Sequence, residues 1–522
     1  MSDTWDTRPG GIAAPSIELG DWPIEVFEDH GREVLALVGD YFRDLDDRPV
    51  MATIPPGELL RLLDSPPPEA AVPFATLLAD TREKIIPHLT HWNHPAFYAY
   101  FAISGSMPGI LAETLTAAFN VNMMVWKSSP AAAALTKIVL RWIAELLGYP
   151  ATADAVFTNG ASLGSFYALC AAREALDLQI REHGLSGRNL PRLRLYISDQ
   201  THSSLEKAAI ALGIGLDNVV KVPSDAHYRM DPAALDAAIR ADLAAGYRPL
   251  AVCATVGTTP TASSDPLDAI SAICRTHAVW LHIDAAYGGF WGLVPEVAAT
   301  IGDLAVGDSL IVNPHKTLFT QVEVSCLYCR RVGALPATFS LIPEYLRTPA
   351  GDEIVNYMDY SLQLGHSFRA LKLWWVIRSF GVAGIRARLA AALALARRLE
   401  TAVDAHPDFQ RLSSSPFALV CLRAFPRDLQ AAAAAAPPQA RAAIAAYLTQ
   451  LNQAVLDQVN ASGVAFLSHT VLREGYTLRL SIGNIRTEAR HVDAVWAALQ
   501  AAAAHVYAAD RAAGRAPDLA AY

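Results

Sequence analysis

The sequence predicts an α/β fold built on a mostly parallel sheet. Short apolar runs recur in the middle of the chain with helical patterns between them, at Leu193–Ser198, Leu250–Val256, Val279–Ile283 and Ser309–Val312. Runs that are apolar on both faces are typical of strands covered by helices on both sides of a sheet. Small and polar residues follow these runs, and parallel sheets bind their ligands beyond the carboxyl ends of the strands.

Changes in sequence pattern divide the 522 residues into three predicted parts. Residues 1–106 form a helical N-terminal segment, in which apolar side chains recur at helical spacing at Phe27, Val34, Val38, Phe42 and Leu45. Residues 107–374 carry the alternating runs and form a large domain. Residues 375–522 form a small α/β domain.

The C-terminal part combines helical and strand-like patterns. Long helical patterns cover 382–405, 442–459 and 492–508. The alanine- and proline-rich stretch 431–438 predicts a solvated loop or a frayed helix. Val464–Leu467 and Tyr476–Ile482 predict the two strands of a hairpin-like pair.

Composition and charge disfavour several classes of partner. The net charge of −9 disfavours nucleic acid and anionic membranes, because both require a basic surface. The first residues lack a secretory pattern, and no uncharged apolar run has the length of a membrane span. The six cysteines do not suggest a disulfide framework, and Cys326 and Cys329 are interpreted as packing residues of a strand-like run. A cytoplasmic protein is therefore predicted.

The segment Asn159–Ser165 has the composition of an anion-binding turn. Glycine, alanine and serine open a helical pattern here, and the backbone N–H groups at such a helix start attract a phosphate. The segment matches neither the dinucleotide nor the P-loop pattern, so a single phosphate is the expected guest. A plain helix N-terminus is the alternative interpretation.

Two further ionisable residues follow predicted strands. His202, in the segment Ser198–Ser204, is either a hydrogen-bonded core histidine or a ring that stacks on a planar ligand or transfers protons. Asp284 ends an apolar run, and a buried carboxylate requires a cationic or protonated partner. Ala285 and Ala286 are small enough to let a flat ligand approach the backbone.

Lys316 closes the segment Asn313–Lys316, which follows the last apolar run. Most lysines are solvated surface charges, but burial at a strand end lowers the pKa of the amine and makes it nucleophilic. A phosphate turn, a stacking histidine, a buried aspartate and such a lysine together meet the requirements of pyridoxal 5′-phosphate. The sequence therefore predicts this cofactor, with Asp284 keeping its ring nitrogen protonated.

The segments that carry these residues resemble those of group II pyridoxal-phosphate decarboxylases of the aromatic-L-amino-acid decarboxylase type. Asn313–Lys316 together with Asp199–Ser204 is highly specific for that family. The resemblance implies the aspartate-aminotransferase-like fold (fold type I) and a homodimer with shared active sites. It also implies decarboxylation of an aromatic L-amino acid to the corresponding amine and carbon dioxide.

The resemblance also implies roles for individual residues. Lys316 would form the Schiff base with the cofactor, Asp284 would pair with the ring nitrogen, and His202 would stack on the ring. The other cofactor contacts would come from Ala161, Ser162, Thr259, Ala286, Asn313 and His315. The substrate pocket would contain Trp92, Tyr100, Phe101, Ile103 and Gly365, with Met124 of the partner subunit nearby. His91 and His94 lack a third ligand, so no metal site is predicted.

Tyr345 bears on which of two reactions the resemblance implies, amine formation or aldehyde formation. A tyrosine in a mobile loop of the family protonates the substrate carbon after carbon dioxide leaves, whereas related enzymes with phenylalanine there admit oxygen and release aldehydes. Tyr345, in the segment Pro343–Leu346, therefore predicts simple decarboxylation. An oxygen-dependent aldehyde synthase and a decarboxylase of a non-aromatic amino acid are the alternatives.

Departures from the family pattern bear on the substrate. Ala102-Ile103 stands where Pro-Thr is frequent, which removes a hydroxyl that could meet a catechol, and Met124 stands where some animal members have phenylalanine. Gly365-His366-Ser367 replaces a common Gly-Arg-Arg. The pocket wall is predicted to be apolar and to lack a basic residue, which favours tryptophan, phenylalanine or tyrosine over glutamate. An aminotransferase would be expected to present an arginine for the substrate carboxylate.

Overall fold

The main sheet of the protein is formed by strands that lie between residues 154 and 329. The structure is a computed structural model and describes residues 20–341 and 354–518. The strands are β1 (Asp154–Thr158), β2 (Leu193–Ser198), β3 (Val219–Val222), β4 (Arg248–Thr255), β5 (Trp280–Asp284), β6 (Ser309–Val312) and β7 (Ser325–Cys329). Their order in the described sheet is β1-β7-β6-β5-β4-β2-β3. Strand β7 is antiparallel to β1 and β6, and the other neighbours are parallel.

Residues 20–48, together with 52–89, form one compact unit. Its helices are α1 (Ile24–Arg43), α2 (Pro56–Leu63) and α3 (Phe74–Asp80), followed by a π-helical turn at Thr81–Ile85. The predicted amphipathic pattern lies in α1 and the residues just after it, and within this unit His30 stacks on Phe74 with ring centroids 3.7 Å apart. The predicted division of the chain at residues 106 and 374 stays a prediction.

The second unit contains residues 49–51 and the chain from residue 90 onward. Its helices before the C-terminal region are α4 (Met107–Phe119), α5 (Pro130–Leu147), α6 (Ala161–Glu174), α7 (Ile180–His183), α8 (Ser204–Ala211), α9 (Pro232–Ala244), α10 (Leu267–His277), α11 (Pro295–Ile301), α12 (Pro314–Thr317) and α13 (Ala334–Phe339). The apolar stripe of α5 is buried, and Gly148 ends this helix in the left-handed conformation with φ 67°.

The C-terminal region forms a smaller antiparallel sheet with four more helices. The helices are α14 (Ala370–Ala405), α15 (Arg427–Ala435), α16 (Pro438–Ala461) and α17 (Ala489–Ala512). The strands are β8 (Phe409–Arg411), β9 (Leu419–Ala424), β10 (Ser468–Leu472) and β11 (Gly475–Ser481), in the order β10-β11-β9-β8. Helix α14 is long and apolar enough to cross a membrane by length and composition. Its backbone breaks at Gly381, however, and its inner side chains, such as Leu373 and Leu389, are buried in the protein.

One prediction for this region is wrong. Residues 464–467 are not a strand; the partner of β11 is β10, because a two-residue turn pairs Leu472 with Gly475 and thereby fixes the register. For the alanine-rich stretch, the structure agrees with the helical alternative rather than the loop: residues 431–435 belong to α15, since alanine favours helix until Pro437 and Pro438 interrupt it.

Candidate active site

The carboxyl ends of five strands meet at one edge of the main sheet. Strands β2, β4, β5 and β6 are parallel, and β1 shares their direction because both β1 and β6 are antiparallel to β7. The four segments predicted from the sequence follow β1, β2, β5 and β6 at this edge: Asn159–Ser165, Ser198–Ser204, His282–Tyr287 and Asn313–Lys316. The topology therefore brings the predicted phosphate turn, histidine, aspartate and lysine to a common edge.

Lys316 lies in α12, directly after β6. Its backbone N–H donates to the Asn313 carbonyl at 3.0 Å, and its Nζ lies 4.9 Å from the centroid of the Phe101 ring. Burial lowers the pKa of the Lys316 amine, Asp284 raises it, and Arg479 lowers it further, with a net lowering. The environment therefore favours the neutral, nucleophilic amine.

Asp284 is a buried carboxylate at the end of β5. Its Oδ1 accepts a hydrogen bond from the Ala286 N–H at 3.0 Å. The Ala286 carbonyl in turn accepts from the Asn313 N–H at 3.3 Å, which connects the ends of β5 and β6. The second carboxylate oxygen of Asp284 can accept from a protonated ring nitrogen.

His202 follows β2 and has a defined tautomer. Its Nδ1 accepts from the backbone N–H of Ser204 at 3.2 Å and lies 2.9 Å from the Ser204 hydroxyl. Since a backbone N–H only donates, the neutral ring carries its proton on Nε2. Burial lowers the pKa of His202, Asp284 raises it and Lys316 lowers it, with a net lowering, so the ring is neutral near pH 7.

The predicted phosphate turn lies between β1 and α6. Helix α6 begins after Gly160, which has φ 85°, and it has neither a capping side chain nor an acidic residue in its first turn. A Cβ on Gly164 would lie 2.4 Å from Cδ1 of Ile311, so α6 packs closely on β6. Asn313 Oδ1 is buried and has no hydrogen-bond partner among the described residues.

His315 completes this part of the site as a neutral group. Its Nδ1 lies 2.7 Å from the Val324 carbonyl, and burial lowers its pKa to about 4. These residues fit pyridoxal phosphate: the turn offers amide donors without acidic groups, Asp284 can pair with a ring nitrogen, and Lys316 offers the amine.

Phe101 lies against Lys316, and we call it, together with Trp92 and Tyr100 of the same segment, the aromatic wall. Phe101 is buried and stacks on Tyr287, with centroids 3.8 Å apart and an interplanar angle of 20°. Trp92 and Tyr100 are exposed and stack on each other at 5.7 Å and 18°. Ile103, two residues after Phe101 in the sequence, is half-buried. Of these residues, Phe101 is the one that the structure places against the lysine.

The described contacts of Met124 and Gly365 are with a different segment. Asn122 Oδ1 accepts from the N–H groups of Met124 at 3.2 Å and His366 at 3.1 Å, and a Cβ on Gly365 would lie 3.2 Å from Asn122 Nδ2. The structure places neither residue against Lys316 within one chain. Tyr345, predicted as a catalytic residue, lies outside the described residues.

Arg479 is a residue of the site that sequence reasoning missed. Its Nε donates to the Thr259 carbonyl at 2.9 Å, its Nη1 donates to the Tyr100 carbonyl, and its Cζ lies 4.6 Å from the Phe101 centroid. Burial lowers its pKa to about 10, so it remains a cation at neutral pH. The expectation of a pocket wall without a basic residue is therefore wrong. The available signal was a single arginine within the apolar run of β11.

Substitution of Arg479 with methionine is expected to raise the pKa of Lys316, because a positive charge that lowers it is removed. The rate at which the cofactor bonds to Lys316 is measured by visible absorbance. At pH 7 this rate should be at least about threefold lower, and the pH profile of the rate should move to higher pH. Arg479→Lys should restore most of the rate. Arg423→Met, on the neighbouring strand β9, is the control; an unchanged profile in Arg479→Met would contradict the role.

Comparison with known proteins identifies the family. Residues 56–425 match the pyridoxal-dependent decarboxylase conserved domain. The chain belongs to this family. Curated relatives include phenylacetaldehyde synthase of Rosa hybrid cultivar, 35% identical over 483 residues that cover 91% of this chain and 93% of the relative. Tyrosine decarboxylase 4 of Petroselinum crispum is 35% identical over 486 residues, which cover 91% of this chain and 93% of the relative.

Solved structures give the same assignment. Oryza sativa TDC with PLP and tryptamine has a TM-score of 0.86 and 31% identity, over 94% of this chain and 99% of that one. The decarboxylase family, the fold type I architecture and the pyridoxal phosphate cofactor predicted from the sequence are confirmed. The protein is a pyridoxal-phosphate-dependent amino-acid decarboxylase.

Proposed function

We propose that the protein decarboxylates an aromatic L-amino acid of the tryptophan, phenylalanine and tyrosine class, releasing the amine and carbon dioxide. The observation that carries the proposal is the aromatic wall, in which Phe101 lies over Lys316 and Trp92 stacks on Tyr100. A planar apolar side chain packs favourably on such rings. The names of relatives, tyrosine decarboxylase and tryptophan decarboxylase, support this substrate class.

The proposed roles of the residues follow from their positions. The bound cofactor supplies a protonated ring that accepts the electron pair released when the bond between Cα and the carboxylate breaks. Asp284 holds the proton at the ring nitrogen, and neutral His202 covers the ring. Tyr345 then donates a proton to the substrate Cα.

Incubation with a mixture of amino acids tests the substrate class. The holoenzyme receives equal amounts of L-tryptophan, L-phenylalanine, L-tyrosine, L-DOPA and L-glutamate, and the amines formed are identified by mass spectrometry. The proposal predicts that the amines of tryptophan, phenylalanine or tyrosine dominate. Formation of γ-aminobutyrate alone would contradict it.

An aldehyde synthase is the second candidate function. The observation that favours it is the similarity to phenylacetaldehyde synthases of Rosa hybrid cultivar and Arabidopsis thaliana. In that reaction the amino acid, dioxygen and water give aldehyde, carbon dioxide, ammonia and hydrogen peroxide. The presence of tyrosine at position 345 favours the amine instead.

Substitution of Tyr345 with phenylalanine is expected to change the product from amine to aldehyde. The phenolic proton donor is lost, so dioxygen competes for the electron-rich Cα; amine formation should fall at least about tenfold. Amine, aldehyde and hydrogen peroxide are quantified in parallel. Tyr360→Phe, which removes a half-buried hydroxyl elsewhere, should continue to give amine. Unchanged amine formation in Tyr345→Phe would show that this residue does not decide the product.

The proposed enzyme is a homodimer with shared active sites, in which Met124 of the partner subunit approaches the substrate. Exposed apolar side chains on α4 support this: Leu111 is 47% and Phe119 is 54% exposed. Val322 is 58% exposed, and Gln321 next to it donates to the Ser106 carbonyl at the start of α4. Exposed apolar side chains of this kind are typical of subunit interfaces.

The double substitution Leu111→Asp and Phe119→Asp is expected to convert the dimer to monomers, because two charges would be buried in the interface. Light scattering coupled to size-exclusion chromatography measures the mass, and activity should fall with the dimer. Ile210→Asp places a charge on another exposed apolar residue, on α8, and should leave the mass unchanged. Retention of the dimer in the double variant would place the interface elsewhere.

A cytoplasmic location is part of the proposal. The six cysteines are free and buried in the structure, which suits a reducing compartment. Their thiols also provide no pair that has to be oxidised for folding.

A further inference from the structure

The predicted phosphate turn lacks a cation among the residues assigned to it. Ala161, Ser162 and Asn313 offer only neutral donors, and His315 is neutral because burial lowers its pKa to about 4. A phosphate monoester carries roughly −1.5 to −2 charges at pH 7. Burial of such a charge is costly unless a positive group lies close to it.

Arg369 is the buried cation that contacts this turn. It is 8% exposed and lies at the start of α14, and its Nη2 donates to Asn159 Oδ1. Asn159 directly precedes Gly160, after which α6 begins. Since a guanidinium only donates, Asn159 turns its oxygen toward Arg369 and keeps its Nδ2 hydrogens available for an acceptor.

The charge of Arg369 is only partly compensated within the described residues. Its Nη2 lies 3.4 Å from Oε1 of Glu323, whose side chain is 41% exposed and therefore partly hydrated. Its Nη1 is buried without a hydrogen-bond partner in the described part of the chain. The neighbouring Lys372, by contrast, forms an ion pair with Glu113. Arg369 can therefore offer positive charge and one N–H donor group to a bound anion.

We propose that Arg369 is a positioning residue for the phosphate of the cofactor: it fixes Asn159 at the start of the phosphate turn and supplies the positive charge that the turn lacks. The proposal rests on the bound pyridoxal phosphate and not on the substrate class. If this protein acted on a non-aromatic amino acid, the proposed role of Arg369 would therefore be unaffected.

Comparison of pyridoxal phosphate with pyridoxal, which lacks the phosphate, tests the proposal. The full-length protein is freed of cofactor and titrated with each compound, and the dissociation constants are read from the visible absorbance of the lysine-bound form. For Arg369→Gln we expect at least about tenfold weaker binding of pyridoxal phosphate and a change of less than about twofold for pyridoxal. Arg386→Gln, on the same helix and bonded to the Leu293 carbonyl, is the control and should change neither.

Asn159→Ala provides a second variant, which removes the acceptor of Arg369 and leaves the arginine in place. We expect a smaller loss that is again selective for pyridoxal phosphate. An equal loss for both compounds in the two variants would show that Arg369 and Asn159 support the fold rather than the phosphate, and would overturn the proposal. Unchanged binding of pyridoxal phosphate in Arg369→Gln would overturn it as well.

Discussion

Replacement of Lys316 with alanine is expected to lower kcat by at least about three orders of magnitude and to abolish the visible absorbance of the lysine-bound cofactor. The reason is that Lys316 is the buried amine whose pKa is lowered by its surroundings, at the strand edge where Asp284 and His202 converge. No neighbouring group can replace a covalent bond to the cofactor. Added primary amines should restore part of the activity but not the absorbance of the lysine-bound form.

The control for Lys316→Ala is Lys221→Ala, which removes an exposed lysine on β3. This variant should keep both absorbance and activity within about threefold of the original protein. Circular dichroism verifies that both variants are folded. If Lys316→Ala retained the absorbance together with more than about a tenth of the activity, another residue would hold the cofactor.

Replacement of Asp284 with asparagine is expected to lower kcat by about two to three orders of magnitude with a smaller effect on KM. Asparagine keeps the shape of the side chain, and its Oδ1 can still accept from the Ala286 N–H. Only the negative charge is lost. Without it the ring nitrogen is not held in its protonated form, and the ring accepts electrons poorly.

The control for Asp284→Asn is Asp265→Asn. Asp265 is also buried and accepts from the backbone N–H groups of Met230 and Thr255, and burial raises its pKa to about 6. Its replacement should affect thermal stability more than kcat, because it lies outside the site. A kcat of Asp284→Asn within about threefold of the original would contradict the role of Asp284.

Buried strands were the features that the sequence predicted best. Leu193–Ser198 and Ser309–Val312 correspond to β2 and β6 at both ends. Such strands are apolar on both faces, so their limits are visible in the sequence. The predicted segments with Asp284 and Lys316 lie at the same sheet edge because parallel strands carry their carboxyl ends together. The proposed site thus follows largely from local pattern and one topological rule.

Contacts between distant segments could not be predicted. Arg479 and Tyr100 are 379 residues apart, and Arg369 and Asn159 are 210 residues apart. The proximity of each pair depends on how β11 and α14 pack, which no local pattern encodes. The hairpin strand was missed for a different, local reason: the short turn between Leu472 and Gly475 decides the pairing, and the apolar content of 464–467 does not.

The stoichiometry of the reaction separates decarboxylation to the amine from oxidation to the aldehyde. The holoenzyme is supplied with L-tryptophan, L-phenylalanine or L-tyrosine, and carbon dioxide, amine, ammonia and dissolved oxygen are measured in the same vessel. For a simple decarboxylase we expect one amine for each carbon dioxide, without oxygen consumption or ammonia release. Equal amounts of carbon dioxide, ammonia and hydrogen peroxide, or no carbon dioxide from any of the three, would contradict the proposed function.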